Sequence, residues 1–154
     1  MILYPTDALL VADLQNDFCP AAHWRPKMAT LLSPPSTLSP SASTTYCSPK
    51  TGTHQPTSSL PAPTYSAFLE DDQRTPTGLT GYIRERNLTR LFLCGLAYDF
   101  CVRYSALDGK ALSFETIILK DATRPVDLHD SIAETNTALA AAGIPRIQSS
   151  TFTL

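Results

Sequence analysis

The alternation of apolar and polar positions divides the chain into regular regions on either side of one irregular region. Short apolar runs predict buried strands, and apolar residues at helical spacing predict amphipathic helices. The strands are expected at 7–13, 89–97, 115–122 and 145–151, and the helices at 77–87, 101–112 and 131–143. Strands and helices that alternate at this spacing are typical of a parallel α/β sheet with right-handed crossovers.

The last predicted helix has recognisable signals at both ends. Ser131 and Glu134 have the spacing of a capping box, in which each side chain bonds a backbone N–H near the helix start. Gly143 follows the helix and suits a left-handed C-terminal stop. We therefore expect the helix to begin at Ser131 and to end just before Gly143.

Residues 21–64 show neither the helical nor the strand period and are rich in Pro, Ser and Thr. Nine of the 13 prolines lie between Pro20 and Pro63, and proline blocks helix interiors and removes backbone donors. This composition is typical of disordered or extended chain. We therefore predict a single domain, 1–154, in which 21–64 is an irregular segment with no helix or strand over most of its length.

Composition and charge narrow the class of protein. A chain of 154 residues suffices for one domain with a core, and a net charge of −2 does not indicate nucleic acid or an anionic membrane as a partner. No apolar run is long enough to span a bilayer, and no basic region precedes the N-terminal apolar residues. Four cysteines without paired metal spacing favour a reduced, cytoplasmic protein.

Two reactive side chains follow predicted parallel strands. Asp13 ends the first strand, and Cys101 opens the helix after the strand 89–97. Open α/β sheets bind their ligands at the carboxyl ends of the strands, and a cysteine at a helix N-terminus has a lowered pKa and is a better nucleophile. The alternatives are that Asp13 only begins a loop and that Cys101 is a small buried residue. Cys94, inside its strand, is expected to be structural.

Five separate motifs, in order, resemble the isochorismatase-like cysteine hydrolases, and within them the nicotinamidases (pyrazinamidases). They are VADLQNDFCP, YSAF, TPTGLTGYIRERN, CGLAYDFCVRYSALDG and LKDATRPVD. The resemblance covers residues 6–20 and 65–150, about two thirds of the chain. The segment between them does not match.

The resemblance implies a six-stranded parallel sheet with helices on both faces. It also implies hydrolysis of nicotinamide to nicotinate and ammonia through a cysteine thioester, a reaction of NAD salvage. By motif, Asp13 would shuttle protons and Cys101 would be the nucleophile, with the N–H groups of Ala97 and Cys101 as the oxyanion hole. Phe18 and Leu96 would contact the substrate, and the Leu96–Ala97 peptide stands where the family has a cis bond. The alternative for Phe18 is a core aromatic.

Several family features are missing from this sequence. The family has a catalytic lysine shortly before the YSAF motif, whereas the nearest lysine here, Lys50, is fifteen residues before Tyr65 and is expected to be solvated. The family binds a divalent metal (zinc, iron or manganese) through an Asp-x-His unit, which residues 20–64 lack. Neither His23 nor His54 has a ligand neighbour. We therefore expect no bound metal and an incomplete sheet, with the second and third strands missing.

Three functions remain open. The chain is a nicotinamidase-like amidohydrolase, inactive or weakly active as written; or a non-catalytic remnant of that family; or another isochorismatase-like hydrolase. Whether it is an enzyme at all is therefore left undecided. The expected partner is a small-molecule amide, with no nucleic acid or membrane, and a homo-oligomer is one of the open alternatives.

A frame shift in the coding region would explain the irregular segment. Read from the third base of each codon, degenerate codons for 19–30 can spell Gly-Gly-Ala-Leu-Ala-Ala-Glu-Asp-Gly-Asp. Those for 44–58 can spell Asp-Val-Leu-Leu-Thr-Gln-Asp-Trp-His-Pro-Pro-Ala-His-Ile, which contains the family's Asp-x-His unit. Our hypothesis is that 21 to about 62 are frame-shifted and that the frame returns near Tyr65 after a deletion. A true insertion is the alternative.

The DNA tests this hypothesis. We expect the shifted frame to be free of stop codons. We also expect T as the third base of the Thr51 codon and C as the third base of the Gly52 codon, because these bases begin the Trp and His codons of the shifted frame. Neither base is fixed by the protein. Sequencing of the locus that finds other bases, or a stop in the shifted frame, would identify the segment as an insertion.

Overall fold

Five parallel strands form one sheet in the computed structural model, which describes residues 1–12, 43–47, 65–70 and 72–152. The strands are β1 (Asp7–Ala12), β2 (Ser43–Cys47), β3 (Arg90–Leu96), β4 (Glu115–Arg124) and β5 (Arg146–Ile147), in the order β2-β1-β3-β4-β5. The helices are α1 (Leu79–Glu85), α2 (Arg103–Ala111) and α3 (Ser131–Ala141), with a π-turn at Tyr98–Val102 and a 3-10 turn at Ser149–Thr151. The predicted parallel α/β class is confirmed, and none of the described helices has the length and hydropathy to cross a bilayer.

The central strands are buried on both faces, as expected for a parallel sheet. On one face, alternate residues of β1, β3 and β4 pack with the three helices in a cluster that includes Leu10, Leu93, Ile118, Ile83, Ala106 and Leu139. On the other face, a smaller cluster includes Val11, Phe92, Ile117 and Leu119, with Phe152 packed against it. The apolar runs read from the sequence are therefore the strands of the core.

The expectation that the second strand is missing is wrong. Residues Ser43–Cys47 form β2 and pair in parallel with β1, from Ala8 opposite Ser43 to Ala12 opposite Cys47. Thr, Tyr and Cys follow one another here, and β-branched and aromatic residues favour extended backbone. The overall Pro/Ser/Thr composition of 21–64 concealed this five-residue run. The expected loss of the third strand concerns residues outside the described ranges and stays a prediction.

The predicted capping box at the start of α3 is also wrong. The N-cap is Asp130, in left-handed conformation, and no side chain caps it. The Ser131 hydroxyl instead donates to the carboxylate of Asp99, and Glu134 forms an exposed ion pair with Arg103. The predicted stop is confirmed, because Gly143 has a φ of 65° and directly follows the C-cap of α3.

The last predicted strand, 145–151, is much shorter in the structure. Only Arg146 and Ile147 pair with β4, and the chain then turns into the 3-10 helix. The turn is held by Asp121, which accepts hydrogen bonds from the backbone N–H and the hydroxyl of Ser149. A side-chain acceptor on β4 therefore holds the turn that follows Ile147.

The amino end of the sheet is held by a buried ion pair. Asp7 begins β1 and Arg90 begins β3, and the guanidinium donates to both carboxylate oxygens at 2.8 and 2.5 Å. The same arginine donates to the carbonyl of Ile2, and the N–H of Tyr4 donates to Asp7. Bidentate geometry makes such a pair strong and directional, so it fixes the register in which β1 and β3 begin.

At their carboxyl ends, β1 and β3 approach too closely for a side chain between them. Ala12 lies opposite Gly95, whose φ is 109°. A Cβ built on Gly95 would lie 2.0 Å from the carbonyl oxygen of Ala12. Glycine is required here both for the left-handed backbone and for the close approach.

Replacing this glycine should destabilise the fold. We expect Gly95→Ala to lower the free energy of unfolding by roughly 2–4 kcal/mol, because it adds backbone strain and overpacking at one position. The matched control is Gly81→Ala in α1, where a Cβ meets no atom within 4 Å. That variant should gain up to about 1 kcal/mol from helix propensity. Denaturant unfolding measures both, and equal effects of the two substitutions would contradict the assignment of Gly95.

Candidate active site

The chain after β3 turns sharply into a helix through an unusual backbone. The Leu96–Ala97 peptide is cis, as the family resemblance implies. The π-turn Tyr98–Val102 follows and leads directly into α2. The carbonyl of Ala97 accepts hydrogen bonds from the N–H groups of both Phe100 and Val102, each at 3.1 Å. The helical segment therefore begins three residues before the predicted start, because a π-turn lacks the 3.6-residue period on which the prediction depended.

Cys101 is the fourth residue of this helical segment and is 7% exposed. The helix dipole is positive at this end of the segment and favours a negative charge there. The prediction that Cys101 lies near the start of the helix after β3 is confirmed, but the residue is three positions inside the helical segment and does not open it. Burial alone fits the structural alternative equally well, so it is the position in the turn that favours a nucleophile.

The side chain just before the thiol belongs to an aromatic pair. Phe100 and Tyr65 contact each other edge to face, with ring centroids 5.5 Å apart. Tyr65 opens the YSAF motif and remains 40% exposed, so this pair lies between the π-turn and solvent. The contact places the beginning of the second matched region beside the turn of Cys101.

The structure reveals a buried carboxylate in this turn that the sequence analysis did not single out. Asp99 is 1% exposed and accepts hydrogen bonds from the N–H groups of Val126 and Asp127 at 3.0 and 2.7 Å. It also accepts from the hydroxyl of Ser131 at 2.5 Å. Burial acts to raise the pKa of Asp99, but these hydrogen bonds outweigh it and hold the pKa below its ordinary value. A carboxylate within an otherwise apolar turn was the available signal.

A second contact ties the π-turn to α3. The hydroxyl of Tyr98 donates to the side-chain oxygen of Asn136 at 2.7 Å, and Arg146 donates to the Tyr98 hydroxyl at 2.9 Å. Arg146 also donates to Asn136. Tyr98 and Asp99 thus connect the start of the turn with helix α3 and the loop before it.

Cys94 has a structural environment. It lies within β3, 2% exposed, in the apolar cluster on the second face of the sheet. Burial raises the pKa of its thiol to about 12, and the charge of Asp121 adds to the shift. At neutral pH the thiol is therefore protonated and unreactive, in agreement with its predicted structural role.

The other predicted site residues, Asp13, Phe18, Lys50, His23 and His54, lie outside the described residues. The structure does confirm that β1 and β3 are adjacent and parallel, with Ala12 opposite Gly95. Asp13 directly follows Ala12 in the sequence. The proximity of Asp13 to Cys101 and the roles of the other four residues stay predictions.

A metal ion has no suitable ligands in the described part of the chain. Residues 1–12, 65–70 and 72–152 contain no group of three His, Cys, Asp or Glu side chains that could hold one. Asp99, the buried carboxylate nearest Cys101 in sequence, has its oxygens occupied by three hydrogen-bond donors. The described residues therefore do not fit a metal, and no chemical step is assigned to one.

Comparison with known proteins supports the resemblance. A family model described as an isochorismatase domain matches residues 58–147. The nicotinamidase of Acinetobacter baylyi is 36% identical over 85 residues, which are 55% of this chain and 40% of that protein. A ureidoacrylate amidohydrolase from Cronobacter sakazakii is 36% identical over 64 residues, 42% of this chain and 25% of that protein. The chain thus matches less than half the length of these curated relatives.

Solved structures share the fold. A nicotinamidase/pyrazinamidase from Acinetobacter baumanii superposes with a TM-score of 0.74 at 24% identity and covers 96% of this chain and 98% of its own. The pyrazinamidase of Pyrococcus horikoshii, solved in complex with zinc, has a TM-score of 0.64 at 21% identity, covering 94% of this chain and 99% of its own. At these identities the likeness concerns the fold alone.

Cys94 and Cys101 should differ in reactivity. With iodoacetamide at pH 8, we expect Cys94 to stay unmodified in the folded chain, because a pKa of about 12 leaves only about one thiol in 10⁴ ionised. It should react fully after unfolding in denaturant. Cys101 should be the faster of the two in the folded chain. Fragment masses from the peptide that holds both cysteines measure this, and preferential labelling of Cys94 would contradict the prediction.

Proposed function

Because the chain belongs to the isochorismatase family, we propose that its site hydrolyses a small amide of the nicotinamide type through a thioester on Cys101. The observation that carries this proposal is the position of Cys101 in the first helical turn after β3. Backbone N–H groups at such a turn favour both a thiolate and a developing oxyanion. This position, at the edge where open sheets bind ligands, supports the role of Cys101 as the nucleophile.

The proposed reaction has two steps. The sulfur of Cys101 adds to the carboxamide carbon, the C–N bond breaks and ammonia leaves, which gives a thioester. Water then hydrolyses the thioester, which releases the carboxylate and the thiol. We assign the proton transfers to Asp13, because its strand is the parallel neighbour of β3. The N–H groups of Ala97 and Cys101 would bind the oxyanion, and Phe18 and Leu96 would contact the substrate.

Nicotinamide is the proposed substrate because a nicotinamidase is among the curated relatives with the highest identity. The match covers 40% of that relative, so the substrate and a place in NAD salvage are proposals for this chain. A different amide is the second candidate, since a ureidoacrylate amidohydrolase matches with the same identity over a shorter stretch. Assays with both amides distinguish them.

The chain as written is proposed to turn over slowly or not at all. The sequence has no lysine at the family spacing before Tyr65 and no Asp-x-His unit in 20–64. Groups that act together in catalysis lose most of their effect together when one is removed. A nucleophile with a proton carrier but without these groups would resemble a pseudoenzyme, the non-catalytic alternative.

Ammonia release from nicotinamide by the purified chain tests the proposal. We expect turnover far below the roughly 10 s⁻¹ that is typical of enzymes. Any residual release should disappear in Cys101→Ala, which removes the nucleophile, and persist in the matched control Cys94→Ala. Turnover within tenfold of the typical value would refute the proposed inactivity. Release that survives Cys101→Ala would refute the assignment of the nucleophile.

A further inference from the structure

We propose that Asp99 is a positioning residue of the site, whose carboxylate holds the π-turn of Cys101 against the loop between β4 and α3. The inference depends on the proposed function only for the role of Cys101 as nucleophile. Asp99 does not itself contact the reacting atoms in this assignment. It acts by fixing the backbone on which the thiol is carried.

Three hydrogen bonds of Asp99 bridge two separate parts of the chain. The carboxylate lies in the π-turn, two residues before Cys101, and its three donors Val126, Asp127 and Ser131 come from the loop and the start of α3. The hydroxyl of Ser131 also accepts from the N–H of Leu128 at 3.0 Å. The carboxylate of Asp99 thus holds the loop through two backbone N–H groups, and it holds the start of α3 through the hydroxyl of Ser131.

The loop needs these hydrogen bonds because several of its residues have backbone conformations of high energy. Asp127, His129 and Asp130 have φ values of 59°, 51° and 63°, in the left-handed region that residues with a Cβ enter at a cost. Asp and His tolerate this region better than most residues, but three within four positions still need external support. The amide of Asp127, one of the three, is bound directly by Asp99.

The bound groups are neutral, so Asp99 acts through direction and not through charge pairing. None of the ion pairs between described side chains includes Asp99. Because the pKa of Asp99 is lowered in the folded state, its stabilising effect is complete above its unfolded value of about 3.9 and is lost as the pH falls through the folded value. The hydrogen bonds to the ionised Asp99 carboxylate are therefore intact at neutral pH.

The position of Asp99 in the turn explains why it would affect the thiol. Residues two apart in a helical turn lie on different sides of it. The side chain of Asp99 therefore holds the turn on one side, and the side chain of Cys101 lies on a different side of the same turn. The N–H groups around Cys101 keep their orientation only if the turn keeps its place, since dipoles act strongly only when they are aimed at the charge.

The experiment measures the rate of Cys101 alkylation by iodoacetamide against pH in the full chain. The variants are Asp99→Asn, which sets an NH₂ group against backbone or hydroxyl donors, and Ser131→Ala, which removes one of three donors and keeps the charge. The matched control is Asp7→Asn, which alters a buried carboxylate at the other end of the sheet. None of them changes Arg103 or Glu134, the charged pair between α2 and α3.

We expect the midpoint of the pH profile to rise by about one unit in Asp99→Asn, to rise less in Ser131→Ala, and to stay unchanged in Asp7→Asn. The direction is decisive, because removal of a nearby negative charge alone would favour the thiolate and lower the midpoint. An unchanged or lowered midpoint in Asp99→Asn overturns the inference, as does an equal rise in Asp7→Asn. If Asp99→Asn does not fold, Ser131→Ala decides by the same criterion.

This test is independent of turnover. Alkylation needs no substrate, so absence of ammonia release leaves the role of Asp99 intact. Conversely, an unmoved alkylation midpoint overturns the role of Asp99 and leaves the proposed amide hydrolysis to its own assay.

Discussion

The close approach of β1 and β3 at Ala12 and Gly95 is the constraint on which the candidate site depends. No side chain fits between the strands there, since a Cβ on Gly95 would overlap the carbonyl of Ala12. The register between β3 and β4 also shifts between Leu93 and Gly95, so β3 leaves regular pairing at the same point. The cis peptide and the π-turn follow at once. The strand that leads into the turn of Cys101 is thus the parallel neighbour of the strand that precedes Asp13.

Two buried carboxylates hold the opposite ends of this arrangement by different means. Asp7 is neutralised by the bidentate guanidinium of Arg90, which fixes where β1 and β3 begin. Asp99 is held by uncharged donors, which fix where the turn after β3 lies relative to α3. An ion pair at a strand start stabilises the register, whereas convergent amides at a turn determine direction. The end that leads to Cys101 is thus the one held by a carboxylate with uncharged donors.

Much of the fold follows from local pattern. β3 was predicted within one residue at each end, because its apolar run is bounded by polar residues and by the turn. The stop at Gly143 was predicted because glycine is favoured at a left-handed C-terminal position. The placement of Cys101 after a parallel strand needed only the alternation of strands and helices. These features are encoded within a few residues of where they appear.

Two of the failures share a physical cause, which is that a distant partner decided the local structure. Ser131 has the spacing of a cap, but the buried carboxylate of Asp99 is the stronger acceptor for its hydroxyl. β2 forms because β1 offers an edge strand with which it can pair. The average composition of 21–64 contains no information about that pairing. The π-turn has no period of its own. For Ser131 and β2 the deciding interaction comes from another element of the fold, whereas the π-turn was missed because it lacks the 3.6-residue period.

The described site has a further property that bears on its chemistry. The π-turn, the loop between β4 and α3 and the start of α3 lie within residues 90–131, and they supply Cys101, Asp99 and the donors Val126, Asp127 and Ser131. The environment of the thiol can therefore form whether or not 13–64 supply a proton carrier or a ligand. Amide turnover requires those other groups as well, because a thioester must be both made and hydrolysed. Thiol reactivity and amide turnover are thus separable properties of this chain, and alkylation of Cys101 and release of ammonia measure them independently.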